Sequence, residues 1–162
     1  MAVTGMRTYL WFDQDGGDAV ELYASLLPDV HIGETSYYQE GAQLPAGTPL
    51  VIEFEMFGQK FAALNAGPMF THSPAVSFQI HCDSQAELDR IWFGLIEGGG
   101  SESQCGWCVD RFGLSWQIMP AVLPQLLEHP DPDVSAKAWQ AMVQMTRIEI
   151  AGLERATGVT LS

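Results

Sequence analysis

Residues 18–27 and 87–96 repeat one another, and this repeat limits the possible folds more than any other feature. Asp18 and Glu87 stand 69 positions apart, and at that spacing Leu22 meets Ile91, Tyr23 meets Trp92, Leu26 meets Leu95 and Leu27 meets Ile96. Apolar residues at these intervals form one stripe along a helix. Each helix follows a strand-like run, and each half ends on a strand, a Phe-Gly turn and a strand, with Phe57-Gly58 in the first half and Phe112-Gly113 in the second. Each half therefore reads β-α-β-β-β. One such unit leaves a sheet face uncovered, so the two are expected to pair and to leave a cleft between their non-helix faces.

In order, Met6 to Phe12 reads as a strand, and Asp13 to Asp18 as a turn with Asp18 as helix N-cap. Pro28-Asp29 stops the helix. Strands follow over His31 to Gln39, Leu50 to Met56 and Lys60 to Asn65. The second half opens with Ala75 to Cys82, where Val76, Phe78, Ile80 and Cys82 share one face and Ser77, Gln79 and His81 the other. Asp83-Ser84 caps a helix over Gln85 to Glu97, which Gly98-Gly99-Gly100 ends. A hairpin follows. Its first strand ends at Asp110, and in its second strand Leu114, Trp116 and Ile118 face one way while Ser115, Gln117 and Met119 face the other. The apolar face should pack under a helix, and the Ser/Gln face should look into a wetter place.

Beyond Pro120 the chain turns helical. A short helix spans Val122 to Leu127, Pro130 to Asp133 breaks it, and a long amphipathic helix capped by Asp133 or Ser135 runs to about Gly158. Its Met/Trp/Ile stripe packs either on the chain's own core or across a homodimer interface, where Met and Trp are enriched. The fold class is α+β: two paired βαβββ modules forming curved mixed sheets around a cleft, plus a C-terminal helical extension. The divisions are 1–70, 71–120 and 121–162, within one structural domain.

Composition removes several function classes. The net charge is −13, and the seven basic residues are scattered singly. Counterion displacement from nucleic acid or attraction to an anionic membrane needs clustered Lys and Arg, so neither partner is expected. No apolar run spans a bilayer and no leader-type apolar segment opens the chain, so a cytoplasmic location is the expectation. Three cysteines, Cys82, Cys105 and Cys108, fit a reducing compartment.

The candidate ligand-binding residues are Asn65, Ser77, Gln79, Trp107 and Gln117, with Glu55 and His81 as weaker candidates. The amides and Ser77 fall on expected cleft faces. They hydrogen-bond either a small polar ligand or one another and the backbone. Trp107 is an aromatic wall or a core residue. His81 is a general base, a lone ligand or a strand-end hydrogen-bonding group. Glu55 shares a strand face with Glu53 and lies in the cleft or in water. Cys105-Gly-Trp-Cys108 has redox spacing, but it enters a hairpin and not a helix N-terminus, so packing is its expected role.

Some runs carry a family resemblance: Ala19-Val20-Glu21-Leu22-Tyr23 before Leu27-Pro28-Asp29, Gly58-Gln59-Lys60-Phe61, Leu64 to Pro68, Val76 to Gln79, Gln104 to Trp107 and Phe112 to Ile118. The chain resembles the vicinal oxygen chelate superfamily (glyoxalase I, extradiol dioxygenases, fosfomycin and bleomycin resistance proteins). Within it, the chain is similar to the PhnB-like branch labelled 3-demethylubiquinone-9 3-methyltransferase. The resemblance is read over nearly the whole chain, the C-terminal helix included.

The superfamily implies His or Glu ligands to a divalent metal near Met6 to Thr8, at Ala62 or Ala63, at Val76 or Ser77, and at Gln117. None of these is a good ligand here, so no metal or other cofactor is expected. The leading expectation is a metal-free, glyoxalase-like protein that binds a small molecule. The alternatives are a divergent metal-dependent lyase, isomerase or dioxygenase using His81 and Glu55, and an interaction protein without a ligand. Methyl transfer has no support, because no strand-Gly-x-Gly-helix pattern is present.

Overall fold

The structure, a computed structural model, describes residues 2–161. The chain divides into two compact units, Met1–His72 and Ser73–Ser162. The first contains β1 (Thr8–Phe12), α1 (Gly16–Leu26), β2 (Val30–Tyr37), β3 (Pro49–Met56) and β4 (Gln59–Asn65). The second repeats the series with β5 (Ser77–Cys82), α2 (Gln85–Ile96), β6 (Ser101–Glu102), β7 (Trp107–Val109) and β8 (Ser115–Pro120). It then adds α3 (Leu123–Leu127), α4 (Pro132–Val143) and α5 (Ile150–Thr157).

The two sheets have matching orders, β1-β4-β3-β2 and β5-β8-β7-β6. In each, the first strand runs parallel to the last and the other pairs are antiparallel. The fold is thus α+β, with two βαβββ modules and a helical extension. No helix among the described residues is long and apolar enough to cross a membrane.

In the first unit, Ile52, Phe54 and Met56 alternate with partly exposed neighbours along β3 and are buried. Ala19, Val20 and Tyr23 of α1 are wholly buried, and α1 packs on β3 and β4. In the second unit, Leu88, Ile91, Trp92 and Leu95 of α2 and Trp116 and Ile118 of β8 are nearly or fully buried, and α2 packs on β5, β7 and β8. Burying one such side chain contributes about 1.5–3 kcal/mol.

Local chemistry sets the element ends. Ser84 caps α2, its Oγ accepting from Glu87 N–H at 3.2 Å, while Glu87 Oε2 accepts from Asp83 N–H at 3.3 Å. The α1 start differs from the expectation that Asp18 is its cap. The helix begins at Gly16, Asp15 is the N-cap residue without a side-chain bond, and Asp18 lies in the first turn. The Gly16 N–H donates instead to Asn65 Oδ1 at 2.9 Å. A Cβ on Gly16 would stand 2.7 Å from that oxygen, so the glycine permits the close approach of helix to strand.

The expected long C-terminal helix is two helices, α4 and α5, with a break at residues 144–149. Within the break, Met145 and Thr146 turn their carbonyls outward and accept from Cys105 N–H and Gly106 N–H, both at 2.8 Å. The Gln85 side chain then holds the chain on the far side, donating to Ile148 O at 3.1 Å and accepting from Ile150 N–H at 2.8 Å. The cap of α4 is Asp131, whose side chain accepts from Asp133 N–H, and not Asp133 or Ser135.

The β7–β8 hairpin is fixed by one carboxylate. Asp110 is 2% exposed. Its Oδ1 accepts from Phe112 N–H at 2.9 Å and Leu114 N–H at 3.0 Å, and its Oδ2 from the buried Trp116 Nε1–H at 2.9 Å. Asp110→Asn turns an amide N–H toward one of these donors. The expected loss is about 2–3 kcal/mol, and more for Asp110→Ala, read as a lower urea midpoint with unchanged slope.

Candidate functional site

The alternation of β8 sends its two faces to different surroundings. Trp116 and Ile118 lie under α2, whereas Gln117 and Met119 border a cavity of about 500 Å³. The register places Gln79 of β5 beside Gln117 on one side and Trp107 of β7 on the other, so all three share this face. His81 and Cys105 complete the floor, and Leu123, Leu127, Trp139 and Met142 of α3 and α4 form an apolar roof.

A run of hydrogen bonds crosses the floor. His81 Nε2 meets Gln79 Oε1 at 3.0 Å, Gln79 Nε2–H donates to Gln117 Oε1 at 3.0 Å, and Gln117 Nε2–H donates to Ser77 Oγ at 2.8 Å. An amide oxygen only accepts, so His81 Nε2 is the donor and its Nδ1 is left as acceptor when the ring is neutral. Each amide also keeps a second N–H. The floor therefore offers donors and one imidazole nitrogen beneath an apolar roof, an arrangement suited to a ligand with an apolar body and a polar edge.

Four sequence-predicted residues, Ser77, Gln79, Trp107 and Gln117, come together with the weaker candidate His81. Asn65 does not join them. It belongs to the first unit, is 2% exposed, and holds α1 to β3 by accepting from Gly16 N–H and donating to Pro49 O at 3.1 Å. Glu55 also lies in the first unit, on β3, paired in register with Lys60 and His31. Its neighbour Glu53 forms an ion pair with Arg7.

The roof was missed by sequence reasoning, which gave the short helix no role and sent the long C-terminal helix to a core or dimer role. This cavity is built within the second unit alone. A signal for the roof does exist: Leu123, Leu127, Trp139 and Met142 all lie on the extension.

The three cysteines are free thiols in different settings. Cys82 and Cys108 are buried, and burial pushes both thiols up to about 12, with nearby carboxylates adding to the shift (Glu87 for Cys82, Asp110 for Cys108). Cys105 is partly exposed at the cavity. The Cys-x-x-Cys pair thus splits across the sheet.

The positions at which the superfamily places metal ligands offer no matching donor set. Ala62 and Ala63 are buried methyl groups, and Ser77 and Gln117 are bonded to each other. No group of three or more His, Cys, Asp or Glu side chains able to hold a metal occurs among the described residues. These residues do not fit a divalent cation.

Two βαβββ modules with these matching strand orders are those of the vicinal oxygen chelate superfamily. Within it, the chain belongs to the family described as 3-demethylubiquinone-9 3-methyltransferase, whose model matches residues 4–119. That match ends at Met119, so the extension lies outside it, contrary to the expectation that the resemblance includes the C-terminal helix.

Among solved structures, a putative 3-demethylubiquinone-9 3-methyltransferase, PhnB protein, from Bacillus cereus is 26% identical, with a TM-score of 0.64 over 72% of this chain and 98% of its own. A Pseudomonas aeruginosa protein shares the fold at 20% identity, with a TM-score of 0.58 over 73% of this chain and 98% of its own. An Arabidopsis thaliana gene product does so at 19% identity, with a TM-score of 0.52 over 74% and 99%. No curated protein shows significant sequence similarity to the chain.

Two outcomes test these assignments. Asn65→Ala leaves the Gly16 N–H and the Pro49 carbonyl without their partner. It should lower unfolding stability by about 1–3 kcal/mol, read as a lower urea midpoint. Iodoacetamide at pH 8 should alkylate Cys105 alone in the folded protein, and all three cysteines after unfolding, as read by peptide mass spectrometry. The linked stability runs with the raised thiols: Cys82 and Cys108 stay protonated when folded, so their contribution is complete below the ordinary thiol range and is lost as pH rises toward about 12.

Proposed function

We propose that this protein binds a small organic molecule reversibly in the second-unit cavity and performs no chemistry on it. The observation that carries the reading is the pairing of an ordered amide floor, His81–Gln79–Gln117–Ser77, with the apolar roof of α3 and α4. At about 500 Å³ the cavity falls in the size range of small-molecule sites. The floor orients a polar edge, and the roof removes apolar surface from water. The glyoxalase-like fold supports the same reading. The methyl-transfer wording attached to the family does not enter it, since the chain has no strand-Gly-x-Gly-helix turn with which to hold a nucleotide-type donor.

Native mass spectrometry of untagged protein should show a non-covalent organic adduct that is lost on unfolding. Gln117→Leu removes the central member of the floor and should lower adduct occupancy, or affinity for an added quinoline-3-carboxamide, by about tenfold. Wild-type protein that carries no adduct and gives no heat with quinoline-3-carboxamide overturns the proposal.

A further inference from the structure

We propose that the cavity selects an organic cation with a flat aromatic body over its neutral and anionic counterparts. This rests on the binding reading above and adds the charge of the ligand. Among the described residues no Lys or Arg borders the cavity, and Glu128 is its one carboxylate. Glu128 is exposed and makes no ion pair among the described residues. The cation nearest in sequence on the roof helix, Lys137, is already engaged: its Nζ lies 2.6 Å from Asp133 Oδ2, one helical turn away.

Two indoles also border the space, Trp107 from the floor and Trp139 from the roof. Trp139 is left 58% exposed, although it stands on a helix whose Ala138 and Met142 are buried. Indole faces attract organic cations more strongly than any other side-chain ring. The second N–H groups of Gln79 and Gln117 then supply donors for an acceptor on the ligand, such as a carboxamide oxygen. The net charge of −13 acts in the same direction, favouring approach of cations and opposing anions. An anion would find amide donors but no full positive charge from Lys or Arg to offset Glu128.

The test is isothermal titration of the full chain with three matched probes: 1-methylquinolinium-3-carboxamide, quinoline-3-carboxamide and quinoline-3-carboxylate. It is run at pH 8, where imidazoles in general are neutral. The cation should bind about five- to tenfold tighter than the neutral carboxamide, and the carboxylate weakest. Raising NaCl to about 0.5 M should narrow the gap. Glu128→Gln should lower the cation's advantage over the neutral probe by about two- to fivefold, leaving the share that Trp107 and Trp139 supply.

A neutral probe that binds as tightly as the cation overturns charge selection and leaves small-molecule binding standing. A cation advantage that Glu128→Gln leaves undiminished overturns the role given to that carboxylate. If none of the three binds and the protein carries no native adduct, the binding reading falls and this inference falls with it; a native adduct without binding of any probe overturns this inference alone.

Discussion

The second unit depends on the two-residue period of β8. Because successive side chains point to opposite sides of the sheet, Trp116 and Ile118 commit to α2 and leave Gln117 and Met119 on the cavity side. A slip of one residue would put a glutamine under α2 and an indole over the cavity. Asp110 guards against that slip. Its carboxylate holds the turn amides with one oxygen and the Trp116 indole with the other, so turn geometry and side-chain facing are set by one group. The parallel neighbour β5 then brings Gln79 level with Gln117, and the antiparallel neighbour β7 brings Trp107 level with it.

Once the register is fixed, the amides on the floor have little freedom. Gln117 stands between a donor from Gln79 and an acceptor at Ser77, so the direction of its amide is determined by both. Such a chain is ordered without a ligand, and under the proposed function that order would lower the entropy cost of binding. Ser77, Gln79 and Gln117 were expected to bond either a ligand or one another. They bond one another and still retain spare donors, so the two roles are compatible in this geometry. Asn65 shows the contrasting case: its oxygen and its nitrogen are both taken up by backbone groups, and the residue is buried.

What was legible in the sequence was what local period encodes. The apolar stripes of α1 and α2, the alternation of β3, β5 and β8, the Phe-Gly turns and the Ser84 cap all depend on neighbours within a few residues. The start of α1 was not legible, because Gly16-Gly17 reads as a turn. Gly16 is required by contact with Asn65, 49 positions away, which no local pattern reports. The break between α4 and α5 was hidden for the same reason. Residues 138–153 keep a helical stripe, with Ala138, Met142 and Leu153 buried, yet the carbonyls of Met145 and Thr146 serve partners some forty positions earlier. The Cys-x-x-Cys spacing misleads in the opposite sense: neighbours along a strand face opposite sides, and the buried Cys108 lies on the far side from Trp107.

The broken helix and the roofed cavity have one cause. The family model ends at Met119, so the module alone supplies the amide floor but no roof. The roof comes from α3 and α4, and its far end must be anchored to the hairpin that makes the floor. The anchor is the pair of bonds from Cys105 and Gly106 to the Met145 and Thr146 carbonyls. In a continuous helix those carbonyls would accept from amides four residues later and could not reach the hairpin. Gly106 must also stay bare, since a Cβ there would stand 2.9 Å from Met119 Sδ and 3.0 Å from Ile118 O. The sequence therefore gives up helical bonds at residues 144–149 and gains a second attachment of the roof to the sheet. Gln85, bonded to the chain on both sides of Glu149, ties the same segment to the start of α2. Floor, roof and anchor thus all belong to the second unit, and the residues of the extension convert a sheet face into a partly covered cavity.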